Sequence, residues 1–168
     1  MEEITMMQPI APCLGFNGNP EEAVDYYISI FPDSRVVHVD RYSDIGPDPA
    51  APIVFIEFQI NGQPFQAVTG GPKFPFTEAV SFVIECADQE EVDAYWDSLS
   101  RDGEPGPCGW LEDRYGVSWQ IVPAVLNDLL RDPDRERAGQ VMRRMLQMTK
   151  LDIAELQAAY AQKREPVT

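Results

Sequence analysis

A single histidine, His38, serves all 168 residues, so no cluster of imidazoles is available to bind a metal ion. Cysteine is almost as scarce. Cys13, Cys86 and Cys108 are odd in number and lack CxxC spacing, so they read as reduced thiols and not as a disulfide framework. Cys13 and Cys86 fall inside predicted strands, as small core residues. Cys108, in PGPCGW, has no histidine or lysine near it in sequence to activate its thiol. Positive charge is also in deficit: 13 Lys and Arg stand against 28 Asp and Glu, a formal net charge of -15. That balance repels phosphate backbones and anionic lipid, so nucleic acid and membrane surfaces are not expected partners. No apolar run approaches the roughly 18 residues of a membrane span, and no basic segment followed by an apolar one opens the chain. The expectation is a soluble cytoplasmic protein. With 44% hydrophobic and 24% charged residues, the composition is that of one globular domain, or of two small modules sharing a core.

What the chain does have is a repeat. CLGFNGNPEEAVDYYISIF at Cys13–Phe31 returns as FVIECADQEEVDAYWDSLS at Phe82–Ser100. At one constant spacing Asn19 maps to Asp88, Glu21 to Glu90, Glu22 to Glu91, Tyr26 to Tyr95, Tyr27 to Trp96 and Ile30 to Leu99. Each copy reads as a short apolar strand, a polar N-cap, and an amphipathic helix whose N3 glutamate can bond back to the cap's backbone N–H. Pro20 sits at N1 of the first helix, where its missing N–H is harmless. A second echo, at a shorter spacing, aligns GQPFQAV (Gly62–Val68) with GVSWQIV (Gly116–Val122). The difference places extra residues in the first module, at the Gly/Pro-rich excursion Ser43–Pro52. Two diverged copies of one supersecondary unit account for both echoes.

In chain order, strands are predicted over Ile10–Phe16, Ser34–Tyr42, Ile53–Ile60 and Gln63–Thr69, with a helix over Pro20–Phe31 and a hairpin turn at Asn61-Gly62. After the linker Gly70–Phe76 come a strand over Ala79–Cys86, a helix over Gln89–Ser100, a short strand within Glu104–Pro107, and a hairpin of Gly109–Asp113 with Val117–Val122. The order is βαβββ twice. Residues 9–69 form the first module, 70–123 the second and 124–163 a helical extension, within a single structural domain. In that extension Asp134–Met148 carries an apolar, methionine-rich stripe, and Asp152–Glu155 is a capping box stapled by Leu151 and Leu156.

Paired βαβββ modules resemble the vicinal oxygen chelate superfamily of glyoxalase I, extradiol dioxygenases and the fosfomycin- and bleomycin-resistance proteins. Within it, EEAVDYYISIFPDSRV, INGQPFQAVTGGPKFPF, CGWLEDRYGVSWQIVP and MTKLDIAELQAAYA are similar to the PhnB-like family, labelled 3-demethylubiquinone-9 3-methyltransferase-like. These segments span roughly residues 10–162. The resemblance implies an α+β fold in which two βαβββ modules form cupped mixed sheets around a cleft, with helices outside, C-terminal helices added, and usually a homodimer. In metal-using relatives the ligands lie in symmetry pairs on the first and last strands of each module. Carried over by the two echoes, those positions are Pro12 and Ser81, and Gln66 and Gln120. Two neutral amides and a hydroxyl cannot replace the imidazole and carboxylate donors such an ion needs, so no metal site and no cofactor are expected. The methyltransferase label lacks its usual support too, because no G-x-G-x-x-G turn follows a strand.

The expected ligand-binding set is therefore metal-free. Strand alternation assigns Leu14, Phe55, Gln66, Ser81, Val83 and Gln120 to the cleft, while Phe65 and Trp119 turn toward the helices. Trp110, beside Gly109, is placed either to stack on a ligand or to join the core. Glu57 and Glu85 are the only acids assigned to the inner face. They are general bases if buried, and ordinary solvated carboxylates if they stand at an open rim. The reading is a small-molecule-binding protein. The alternative is an enzyme, a glyoxalase-like lyase or isomerase or a methyltransferase by label, using Glu57 or Glu85 as acid–base.

Overall fold

The computed structural model describes residues 10–43, 52–70 and 75–162, so most of the Ser43–Pro52 excursion and of the Gly70–Phe76 linker lies outside the described residues. Two compact units divide the chain, Met1–Pro75 and Phe76–Thr168. Each contains one four-stranded mixed sheet of the same strand order, and the repeat seen in the sequence is a repeat of topology.

In the first unit β1 (Cys13–Phe16) lies parallel to β4 (Gln63–Thr69), which pairs antiparallel with β3 (Ile53–Ile60), and β3 with β2 (Arg35–Tyr42). The order is β1-β4-β3-β2. Helix α1 (Pro20–Ile30) starts where expected, with Asn19 accepting a hydrogen bond from the Glu21 N–H at 3.0 Å and Pro20 at N1. It ends at Phe31, which precedes Pro32 and takes an extended conformation. The alternating residues Val54, Ile56, Phe58 and Ile60 are buried together with Leu14, Phe16, Phe65 and Ala67, on the side where α1 supplies Ala23, Val24 and Tyr27. Strand β2 is an edge, with a register irregularity between Val36 and His38 and with Val36 and Val37 exposed. Such irregularity discourages further edge pairing.

In the second unit β5 (Ser81–Cys86) is parallel to β8 (Ser118–Pro123), followed by β7 (Trp110–Glu112) and β6 (Glu104–Pro105) in the order β5-β8-β7-β6. Helix α2 (Gln89–Leu99) buries Val92, Trp96 and Leu99. Its cap Asp88 accepts from the Glu91 N–H at 3.0 Å. The returning carboxylate of Glu91 takes the N–H of Ala87 at 2.7 Å, one residue before the cap that was expected to donate. Phe82, Ile84, Trp119 and Ile121 turn to this helical side.

Three helices complete the unit. Helix α3 (Ala124–Arg131) follows β8 directly, and α4 (Arg135–Met145) and α5 (Ile153–Ala161) pack on it around Leu126, Val141, Met148, Leu151 and Leu156. The methionine-rich stripe is thus partly core, whereas Met142 and Leu146 are exposed. Asp152 caps α5 through the Glu155 N–H at 2.9 Å, and the predicted staple residues Leu151 and Leu156 are both buried. The two segments CGW and MTKLDIA meet here. Cys108 and Gly109 donate their N–H groups to the carbonyls of Met148 and Thr149 at 2.8 and 2.7 Å. Gln89 of α2 holds the following stretch from the other side, donating to Leu151 O at 3.2 Å and accepting from Ile153 N at 2.8 Å.

One register differs from the sequence expectation and changes the site. In the first unit Cys13, not Pro12 or Leu14, pairs with Gln66, while Leu14 pairs with buried Ala67. The equivalent pairs in the second unit are Val83 with Gln120 and Ile84 with Ile121. Leu14 stands five residues before its helix cap and Ile84 only four before its own, so the first module carries one residue more between strand and helix. Gly18, at φ 126, lies in this longer turn, in backbone territory that favours glycine. The gap-free alignment of the two copies therefore holds in the helices and slips by one in the strands. A one-residue slip sends every side chain to the opposite face. Leu14 accordingly belongs to the helical side, and Cys13 is exposed on the open face, not a core residue. Cys86 is buried as expected.

Candidate functional site

Helices α1 and α2 each cover one face of their own sheet, and cross-strand register orders the opposite, open face into rows; in the second unit the C-terminal helices reach only its last row, at Glu85 and Val122. In the first unit the row Cys13–Gln66–Glu57–His38 crosses all four strands. The next row carries Gly15, Val68, Phe55 and Asp40. The expected residues Phe55, Glu57 and Gln66 therefore do share a face. Glu57 is exposed, as is His38, whose Nε2 lies 3.1 Å from Asp40 Oδ1. Desolvation raises the Cys13 thiol above its ordinary pKa, which keeps it in the unreactive protonated form.

The second unit's open face is richer. Its first row runs Ser81–Ser118–Glu112–Glu104, its second Val83–Gln120–Trp110, and its third Glu85–Val122. Of the expected residues, Ser81, Val83, Trp110, Gln120 and Glu85 all lie in these rows. Gln120 donates through Nε2 to Ser81 Oγ at 2.9 Å, so the two polar groups nominated independently are partners of each other. Glu85 is exposed and accepts a bond from Asn127 Nδ2 at 3.3 Å. Trp110 is half-buried, and it lines a cavity of about 520 Å³ with Glu78, Pro105, Pro107, Leu111, Glu112 and Ser118. Glu104 and Gly106 complete its wall. Volumes of this size suit a small organic ligand.

Several residues of this region were not singled out from the sequence, Ser118 and Asp113 foremost among them. Ser118 is only 2% exposed, and its Oγ has no hydrogen-bond partner. Stepping two residues back from Gln120 along the strand would have placed it on the open face, as stepping two forward from Trp110 would have placed Glu112. Asp113 is the second omission. Also 2% exposed, it accepts at Oδ1 from the N–H groups of Tyr115 and Val117 at 2.9 and 3.0 Å, and at Oδ2 from Trp119 Nε1 at 2.9 Å. One carboxylate thus closes the β7–β8 turn and fixes the indole behind it. The hairpin so held carries Trp110, Glu112, Ser118 and Gln120. The DRYG turn shows an ordinary Asp before a glycine, and only burial separates this acid from a solvated one.

Among the described residues no group of three or more His, Cys, Asp or Glu stands where it could hold a metal ion. At the symmetry positions Gln66 and Gln120 are amides beside Cys13 and Val83, and Gln120 donates to Ser81. The donor set does not fit a divalent ion. Among the described residues, too, no helix is long and apolar enough to cross a membrane.

The chain is similar to known proteins in sequence and in fold. The profile of the 3-demethylubiquinone-9 3-methyltransferase family matches residues 8–122. A PhnB protein from Bacillus cereus is 35% identical, with a TM-score of 0.62 over 70% of this chain and 100% of its own. A Pseudomonas aeruginosa protein at 18% identity has a TM-score of 0.54, covering 68% of this chain and 96% of its own. A variant of the fosfomycin resistance protein FosX from Listeria monocytogenes, complexed with Mn(II) and 1S,2S-dihydroxypropylphosphonic acid, is 15% identical, with a TM-score of 0.53 over 75% of this chain and 100% of its own. No curated protein matches the chain.

Proposed function

This chain belongs to the 3-demethylubiquinone-9 3-methyltransferase-like (PhnB) family of vicinal oxygen chelate folds, and from that premise we propose that it binds a small organic molecule without a metal, on the open face of its second sheet. One observation carries the reading. The cavity walled by Trp110, Leu111, Glu112 and Ser118 combines apolar surface with a buried hydroxyl that has no protein partner. A pocket with mostly apolar walls and a few placed polar groups is how proteins orient small ligands. Methyl transfer, which the family's name carries, calls for a methyl-donor site, and the usual glycine-rich strand-to-helix turn is not in the sequence. Acid–base chemistry by Glu57 or Glu85 draws no support from burial, since both carboxylates are exposed.

Trp110 supplies the test. Trp96 and Trp119 are buried at 7% and 2% exposure, so a ligand entering the cavity changes the emission of Trp110. Titration of a small-molecule library should give saturable fluorescence changes that Trp110→Phe abolishes. Elemental analysis and thermal shift with Mn²⁺, Ni²⁺, Zn²⁺ and Fe²⁺ should show no stoichiometric metal and no stabilisation. A metal bound near one per chain sinks the metal-free reading and moves it toward a lyase or oxygenase with unfamiliar ligands.

A further inference from the structure

We propose that this cavity selects an organic cation, a primary ammonium group carried on an apolar body. The inference rests on the binding reading above and adds the charge and chemistry of the ligand. It begins with the first row of the open face. Glu104 on β6 and Glu112 on β7 are directly opposite each other in an antiparallel pair. Like charges in that position repel, and sheets ordinarily avoid them. Glu78 joins them in the wall of the same cavity. Among the described residues no Lys or Arg forms an ion pair with any of the three. Elsewhere in the same unit some carboxylates do find cations: Asp102 has Arg114, Asp93 and Asp97 share Lys150, Asp134 has Arg137, and Glu155 has Arg144. Other acids of the unit, Glu85 and Asp128 among them, also lack an ion pair among the described residues, but three such acids share the wall of this one cavity, two of them face to face.

The second observation is independent of charge. Ser118 is the next residue in that row, paired with Glu112 across β7–β8 and shut off from solvent, with its Oγ unpartnered. A buried hydroxyl without a partner costs free energy that a hydrogen bond would recover. Its lone pairs can accept an N–H from a ligand in the cavity. Trp110, one row along, offers an aromatic face, which attracts a cation and packs an apolar body. An ammonium group meets all three demands at once: its charge offsets the facing glutamates, its N–H reaches Ser118, and its carbon body lies against Trp110 and Pro107. An anion could take a hydrogen bond from the Ser118 hydroxyl but would be repelled by the three glutamates. A metal ion needs converging donors, and the described residues offer no such group of three.

Three probes of similar size and different charge separate the possibilities: phenethylamine, phenethyl alcohol and phenylpropionate, titrated into the full chain by calorimetry and Trp110 emission near neutral pH. The amine should bind at least about tenfold more tightly than the alcohol, the acid weakest of all, and the amine's advantage should shrink with added salt. Glu104→Gln with Glu112→Gln should bring the amine's affinity down to that of the alcohol measured on the same variant, and thermal melts of that double variant should show no loss of stability, because a repulsion has been relieved. Ser118→Ala should weaken the amine more than the alcohol. Equal binding of amine and alcohol overturns the cation inference and leaves the cavity standing as a binding site. No binding of any probe, with Trp110 emission unmoved, overturns both. Stoichiometric displacement of the amine by Ca²⁺ or Mn²⁺ overturns it in favour of a metal site.

Discussion

Replacing Asp113 by Asn is the sharpest test of how the site's hairpin is held. The carboxylate accepts from two backbone N–H groups at Oδ1 and from the Trp119 indole at Oδ2, all within 3.0 Å and shielded from water. An asparagine amide has one acceptor oxygen. If it faces the backbone groups, its NH₂ confronts the indole N–H; if it flips, the NH₂ confronts two backbone donors. Either orientation leaves at least one buried donor unsatisfied, at about 1–3 kcal/mol each, and gives up bonds to a charged acceptor. Asp113→Asn should therefore cost about 2–4 kcal/mol. Urea denaturation followed by near-ultraviolet circular dichroism measures it. Trp119→Phe removes the indole donor, so the same Asn substitution should be milder in that background, with a coupling of about 1–2 kcal/mol in the double-mutant cycle. Additivity of the two changes, or an Asp113→Asn variant within about 0.5 kcal/mol of wild type, would show that the three bonds do not act as described.

Other expectations follow from single features. Gly109 sits at φ 84, and a Cβ there would lie 2.7 Å from the Ile121 carbonyl and 3.0 Å from Leu151 Cδ1. Gly109→Ala should destabilise by more than the roughly 1–3 kcal/mol of backbone strain alone, read from thermal melts. The Asp93 carboxyl is held below its ordinary pKa, first by the hydrogen bond from Lys150 and then by that from Gln89, so this contribution to stability is present above the unfolded value near about 3.9 and fades as pH falls through the lower folded one. Lys150 is raised by the same bond, and its contribution is lost at the alkaline end as pH rises through the raised value. The pair is partly exposed, so Asp93→Asn should cost only about 0.2–1 kcal/mol near neutrality and flatten both limbs of the melting temperature against pH. Glu57→Gln and Glu85→Gln should leave ligand affinity at the second-unit cavity unchanged, checked by the Trp110 titration. A pH–rate limb removed by either variant would instead establish an acid–base enzyme.

The amino-acid sequence by itself determined the two capped module helices, the succession of strands along the chain and the double βαβββ plan. Asn19 and Asp88 as caps, Pro20 at N1, Asn61-Gly62 at the hairpin, and the alternation from Val54 to Ile60 are local signals, and local chemistry was enough to place them. The open face of the second sheet was largely legible for the same reason, since Ser81, Val83 and Gln120 follow from the period of a strand. What tertiary structure decided was phase and environment. One additional residue before the first helix put Cys13, not Leu14, beside Gln66. A loop can absorb such a residue with little trace in a gap-free alignment, yet it inverts a strand's faces. Burial likewise separated the acids: Asp113, passed over in the sequence, accepts from three N–H donors inside the turn, while Glu57 and Glu85, the acids the sequence singled out, are exposed. Glu104 and Glu112 are eight positions apart in the chain, and only strand pairing sets them face to face. A carboxylate's role depends on what surrounds it in space, and that is fixed by contacts between residues distant in sequence.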